Sequence, residues 1–146
     1  MFYYYMDDLY FEVGVRMMAN KLPEIKSNVV FIEGLRNLKY LSEASGAFFF
    51  VFLEGGGYSL RDDVFCMSKK IKFDVFSKAL LKRNGIGRIK EKQLEVLKLE
   101  IEGFSIVEIS KKTGITRKNV YNCRAALIKR LELKNRFCLR NVTIIK

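Results

Sequence analysis

The stretch from Ile89 to Arg136 leaves the chain little choice of local structure. Leu94, Val96, Leu97, Leu99 and Ile101 line a first helix. Gly103 closes it, because glycine enters the left-handed region without a Cβ clash. Ser105, with Glu108 three residues on, has the spacing of a capping box, so a second helix starts there. Its apolar signature, Val107 and Ile109, is thin, and Gly114 ends it early. Thr116 caps a third helix, expected over Thr116–Leu133, where Val120, Leu127, Ile128 and Leu131 recur at three- and four-residue steps.

A short helix, a turn containing glycine and a longer helix make a helix-turn-helix arrangement. Its second helix is the one that enters the major groove of duplex DNA. Opposite the apolar stripe, that helix carries Arg117, Lys118, Tyr121, Asn122, Ala125 and Lys129. Basic residues near its N-terminus add to the helix dipole in attracting phosphate. Tyr121, Asn122 and Ala125 are the expected base contacts: asparagine pairs with adenine through two hydrogen bonds, and alanine suits a thymine methyl. Lys111, Lys112, Thr116, Arg117, Lys118, Arg124 and Lys129 are the expected phosphate contacts, which confer affinity and salt dependence rather than sequence choice. Periodicity alone equally allows an ordinary helical hairpin with a solvated charged face.

The segment resembles the LuxR-type DNA-binding domain of FixJ- and NarL-like response regulators. Val96-Leu97, Leu99, Gly103, Ser105, Glu108-Ile109, Gly114-Ile115, Lys118, Val120, Asn122, Leu127, Lys129, Leu131 and Asn135-Arg136 carry the resemblance, without gaps, over about a third of the chain. Glu100, Ile101, Thr113 and Cys123 depart from it: they stand where the family usually has an aliphatic residue, a small one, a leucine and a histidine. Region 4 of sigma factors is similar, but its first helix usually has one more residue before the glycine, and it lacks the Asn-Arg ending.

Charge agrees with a polyanionic partner. From Arg88 onward there are 15 Lys and Arg against 6 Asp and Glu, so most of the chain's net +11 lies in the helical segment. An acidic membrane surface would require a large apolar face on an isolated helix, and here that face is needed for the three-helix core. Cys66, Cys123 and Cys138 are far apart and form no CxxC pair, which argues against a disulfide framework and a zinc site. The chain has no histidine, and Tyr58 and Ser59 lack a base, so no enzyme is expected. Gly55-Gly56-Gly57 lacks the GK[ST] of a phosphate loop and reads as a flexible turn. A reducing, cytoplasmic setting is expected: no signal peptide is visible, and the most apolar run, Ala47–Leu53, is too short to span a bilayer.

The first half alternates strand and helix. Met1–Met6 reads as a strand. Leu9, Val13, Val15, Met17 and Met18 fit a helix to about Leu22, stopped by Pro23. Val29–Ile32 is a strand, and Leu35, Leu38 and Leu41 suggest a helix ending near Gly46. Ala47–Leu53 and Val64–Met67 are further strands, and residues from Phe73 to Arg83 a last helix. This order predicts a small parallel sheet flanked by helices. The expected organisation is an α/β domain over residues 1–84, a linker over 85–88 and an all-α helix-turn-helix domain over 89–146.

This half resembles a shortened receiver domain. Asp7-Asp8 follows the first strand, as the magnesium-binding acids do in receivers, and Cys66-Met67-Ser68-Lys69 looks like the last strand. The resemblance puts Leu53-Glu54 at the place of the phosphoacceptor, where a glutamate is one methylene too long for in-line transfer. Only a loop and a strand fit between Glu54 and Lys69. Asp7 and Asp8, with Glu54, are candidate oxygen ligands. The other reading is an unrelated small α/β fold whose acids are caps and surface charges. Glu54 reads as a plain surface residue, and no metal or cofactor is expected. Together the two resemblances imply a sequence-specific transcription regulator that binds double-stranded DNA. Its N-terminal domain is expected not to be phosphorylated and to serve protein contact, in a homodimer or a heterodimer with another regulator. The alternative is a sigma-like or adaptor module acting only with RNA polymerase or a partner response regulator. In this family Tyr121, Asn122 and Ala125 occupy the positions that face the groove.

Overall fold

The computed structural model of the chain describes residues 1–22, 28–42, 46–70, 72–82 and 89–146. It divides into two compact units, Met1–Ile86 with Ile144–Lys146, and Gly87–Thr143. The expected stop at Pro23, the helix end at Arg83 and the linker over 85–88 lie outside the described residues.

The first unit is built on a four-stranded parallel sheet. Strands β1 (Phe2–Tyr5), β2 (Val29–Glu33), β3 (Phe48–Phe52) and β5 (Val64–Met67) lie side by side in the order β1-β2-β3-β5. Phe2 faces Val29, Val29 faces Phe48, and Phe49 faces Val64 across the ladders. All five residues of β2 are buried, and four of the five in β3, because both sheet faces are covered. Side chains alternate between the faces. Phe31, Phe50 and Phe52 meet Val15 and Ala19 of helix α1 (Leu9–Asn20) and Phe76, Ala79 and Leu80 of helix α2 (Phe73–Lys82). Val30, Ile32, Phe49, Val51 and Leu53 form the other core with Leu41, Val64, Cys66 and Ile145. β1 is an edge strand, only partly buried.

Four local features differ from the sequence reading. The segment Leu35–Ser42 is a 3-10 helix, η1, rather than an α-helix. Its leucines recur every third residue, which is the 3-10 repeat. In α1, Val15 and Ala19 are the buried residues, whereas Leu9, Val13 and Met17 face outward at 71%, 54% and 58% exposure. The triple glycine is a turn only in part: Gly56 has φ 80°, but Gly57 begins a short strand, β4 (Gly57–Ser59), in which Tyr58 is buried. β4 forms a two-stranded sheet with β6 (Thr143–Ile145), and the amide of Leu60 donates to the carbonyl of Ile145 at 2.8 Å. The final residues therefore belong to the α/β unit rather than to the helical one.

The second unit packs α3 (Glu91–Ile101), α4 (Ile106–Thr113), α5 (Arg117–Arg130) and a 3-10 segment, η2 (Arg136–Asn141). Val96, Leu97, Ile109, Val120, Leu127 and Leu139 are fully buried at its centre. The fold class is thus an α/β unit with a small parallel sheet plus an all-α helix-turn-helix unit. No helix among the described residues is long and apolar enough to cross a membrane.

Candidate nucleic-acid interface

Local chemistry sets α4 and α5 in place. The Ser105 hydroxyl accepts from the amide of Glu108 at 3.2 Å, and the Glu108 carboxylate accepts from the amide of Ser105 at 3.2 Å. These bonds satisfy two donors at the start of α4 and hold the Glu108 carboxyl below its usual pKa, the Ser105 side chain contributing most. Gly114 ends α4 at φ 74°, a left-handed position that any Cβ would strain. Ser110 and Thr113 tie the turn: Ser110 Oγ donates to the carbonyl of Ile115 at 2.6 Å, and the amide of Ile115 donates to Thr113 Oγ1 at 3.2 Å. Thr116 then caps α5, accepting from the amide of Asn119 at 3.3 Å. The helix ends at Arg130, with Leu131 as its cap, so it is shorter than the expected Thr116–Leu133.

Val120 and Leu127 fix the rotation of α5 by facing the core. The same rotation leaves Arg117, Lys118, Tyr121, Asn122, Ala125 and Lys129 exposed, with Tyr121 at 55%. The three expected base contacts therefore share one solvent-facing side with four of the expected phosphate contacts, counting Thr116 at its cap. Lys111 and Lys112 are exposed in the last turn of α4, where Lys112 lies 4.6 Å over the Phe104 ring.

Arg124 is placed differently from the other cations. Its side chain is 13% exposed, and its Nε donates to Glu100 Oε1 at 2.6 Å. Glu100, on α3, is itself only 4% exposed. The charge that interrupts the apolar positions of α3 therefore has its partner inside the fold. A carboxylate among buried helical positions was the one signal in the sequence for this pair.

The acids of the first unit do other work. Asp8 caps α1 by accepting from the amide of Phe11 at 3.1 Å. Lys69 Nζ lies 3.1 Å from Asp8, 3.5 Å from Glu33 and 3.7 Å from Glu54, and 5.0 Å over the Phe11 ring. Glu33 ends β2, next to β1, is 7% exposed and accepts from the amide of Asp8 at 3.1 Å. Glu33 is thus the buried acid beside Asp8 and Lys69, while the Glu54 side chain is 87% exposed, as its reading as a surface residue expects. Sheet order decides this, and the sequence alone did not reveal it. Asp7 lies 3.9 Å from Arg36. Among the described residues, no group of three or more His, Cys, Asp and Glu is arranged to hold a metal ion.

No family model matches the chain, and no curated protein matches it significantly. Solved structures do. RcsB from Salmonella enterica serovar Typhimurium bound to promoter rprA is 18% identical, with 94% of this chain and 98% of that chain covered and a TM-score of 0.51. Two RcsB dimers bound to two parallel DNAs give 18% identity, coverage of 96% and 95%, and a TM-score of 0.43. Full-length FixJ from B. japonicum gives 11% identity, coverage of 95% and 93%, and a TM-score of 0.35. At these identities the likeness is one of fold, and the fold this chain shares is that of the response regulator RcsB.

Proposed function

We propose that the chain is a sequence-specific DNA-binding transcription regulator of the LuxR type, whose α/β unit does not accept phosphate and serves protein contact. The observation that carries this is the outward side of α5, where Tyr121, Asn122 and Ala125 stand among Arg117, Lys118 and Lys129. Cations there hold the backbone while the polar and small side chains meet base edges. The RcsB structure of like fold was solved on promoter DNA, which agrees with that use of the fold. Tyr121, Asn122 and Ala125 are assigned to bases; Lys111, Lys112, Thr116, Arg117, Lys118 and Lys129 are assigned to phosphates. Arg124 is reassigned from phosphate contact to holding α5 against α3 through Glu100.

For the α/β unit, the support is chemical. Both acids nearest Lys69 on the strand side are engaged: Asp8 as cap and ion-pair partner, Glu33 as acceptor from Asp8. Neither Glu33 nor Glu54 is an aspartate, and the extra methylene displaces the carboxylate from in-line geometry. The outward stripe of Leu9, Tyr10, Val13 and Met17 on α1 supports a contact with another protein chain. The deciding experiment is selection of bound fragments from random duplex DNA in the absence of RNA polymerase, followed by sequencing. Recovery of one motif supports this reading. Failure to retain any duplex at low salt, with retention restored by polymerase, would hand the function to the sigma-like alternative.

A further inference from the structure

A cavity of about 300 Å³ lies in the helical unit beside α5, at the lower end of ligand-pocket sizes. Glu100, Arg124, Tyr121, Arg136, Phe137 and Arg140 line it. The charges in it do not cancel. Glu100 is the carboxylate among these residues, and Arg124 already engages it at 2.6 Å. Arg136 and Arg140 are exposed, and no carboxylate among the described residues forms an ion pair with either. Arg136 lies 4.9 Å over the ring of Phe137, which is itself 64% exposed. On the other side the Arg124 guanidinium lies 5.9 Å over the Tyr121 ring. Two unneutralised guanidiniums beside two aromatic walls suit a ligand with both an anion and a flat ring.

We propose that this cavity is a seat for a nucleotide: Arg136 and Arg140 hold its phosphate, and Phe137 and Tyr121 pack against its sugar or base. Guanidinium forks match phosphate oxygens in pairs, and aromatic side chains accept any base by stacking. The phosphate has two sources of the same chemistry: the backbone of a bound duplex, or a free nucleotide. Only the first rests on the DNA-binding reading above. In that case the duplex makes contacts beyond α4 and α5, through the residues after the Asn135-Arg136 pair.

The chain has no tryptophan, so F137W places a single reporter at the rim of this cavity. The F137W chain is titrated with random-sequence duplex DNA at low salt and separately with AMP, with filter binding of the duplex in parallel. A saturable tryptophan signal is expected, with the dissociation constant raised about tenfold or more in F137W/R136Q/R140Q, since each lost bond is charge-assisted. A response to duplex alone identifies the backbone as the source; a response to AMP identifies a free nucleotide. Duplex retained on the filter with a silent tryptophan overturns the cavity proposal and leaves the DNA-binding reading standing. A response to AMP with no duplex retained does the reverse. Unchanged affinity in the arginine variant, or silence toward both probes, refutes the proposal. Because tryptophan itself alters the rim, the native Phe137 chain and R136Q/R140Q are also compared by isothermal titration with whichever probe responded. Equal affinity there overturns the proposal as well.

Discussion

The Nε of Arg124 donates to the Glu100 carboxylate at 2.6 Å, joining α5, where Val120 and Leu127 are buried, to α3, where Val96 and Leu97 are buried. Removing one member of a buried ion pair strands the other charge and costs about 3–5 kcal/mol, whereas replacing both with apolar residues is often neutral or better. Glu100→Ala should therefore lower the unfolding free energy by about that much. Glu100→Leu combined with Arg124→Met should recover most of it. Urea unfolding followed by far-UV circular dichroism measures both, and a double variant as weak as Glu100→Ala would show that the pair does more than neutralise itself.

Asn122→Ala should weaken binding to a selected operator by about 1–3 kcal/mol while leaving non-specific duplex nearly untouched. Lys118→Ala should weaken both and flatten the dependence of affinity on salt by about one unit of slope. Filter binding across a salt series separates them. Equal losses on all sequences for Asn122→Ala would contradict its place among the base contacts.

The Asp8 and Lys69 pair gives the α/β unit a pH signature. The amide of Phe11, and then Lys69, hold the Asp8 carboxyl below its usual 3.8. A lowered carboxyl pKa contributes stability above the unfolded value, and that contribution disappears as pH falls through the folded one. For Lys69, burial lowers the pKa, but the Asp8 hydrogen bond and the charges of Glu33, Asp8 and Glu54 outweigh it and raise it above 10.5. That contribution is complete below 10.5 and disappears as pH rises through the raised value. The melting-temperature gap between wild type and Asp8→Asn should thus be constant through neutrality and close below pH 3.8. A gap that persists in strong acid would mean that the carboxylate charge is not its source.

Ser105→Ala removes the hydroxyl that accepts from the amide of Glu108, and loss of such a cap costs about 1 kcal/mol. The same substitution frees Glu108 from its largest pKa-lowering partner, so the Glu108 carboxyl should titrate closer to its usual 4.5. Carboxyl-carbon NMR across an acid series reads this directly, and an unmoved Glu108 would refute the reciprocal box.

Treatment with acetyl phosphate and magnesium should leave the intact mass unchanged. A phosphoryl adduct mapped to Asp7, Asp8, Glu33 or Glu54 would overturn the proposal that the α/β unit takes no phosphate.

The helical unit was the more legible half, and the reason is range. Ser105, Glu108, Gly114 and Thr116 act within a few residues of themselves, so their spacing already spelled out two helix starts and a stop. Strands β2 and β3 were equally plain as apolar runs, but their neighbours are not written locally. Glu33 reaches Asp8 across 25 residues of chain, and Arg124 reaches Glu100 across 24. Nothing in either local segment names its partner. The outward apolar stripe of α1 escaped for another reason: hydrophobicity marks Leu9, Val13 and Met17 as candidates for a core without saying whether this chain provides one. β4 and β6 are three residues each, too short to display any period.

Lys69 is a cation that cannot dissociate. Because its ammonium is covalently part of the chain, the charge it sets 3.1 Å from Asp8, 3.5 Å from Glu33 and 3.7 Å from Glu54 goes wherever the chain goes. The positive charge at the carboxyl ends of the parallel strands is consequently inherited with the polypeptide.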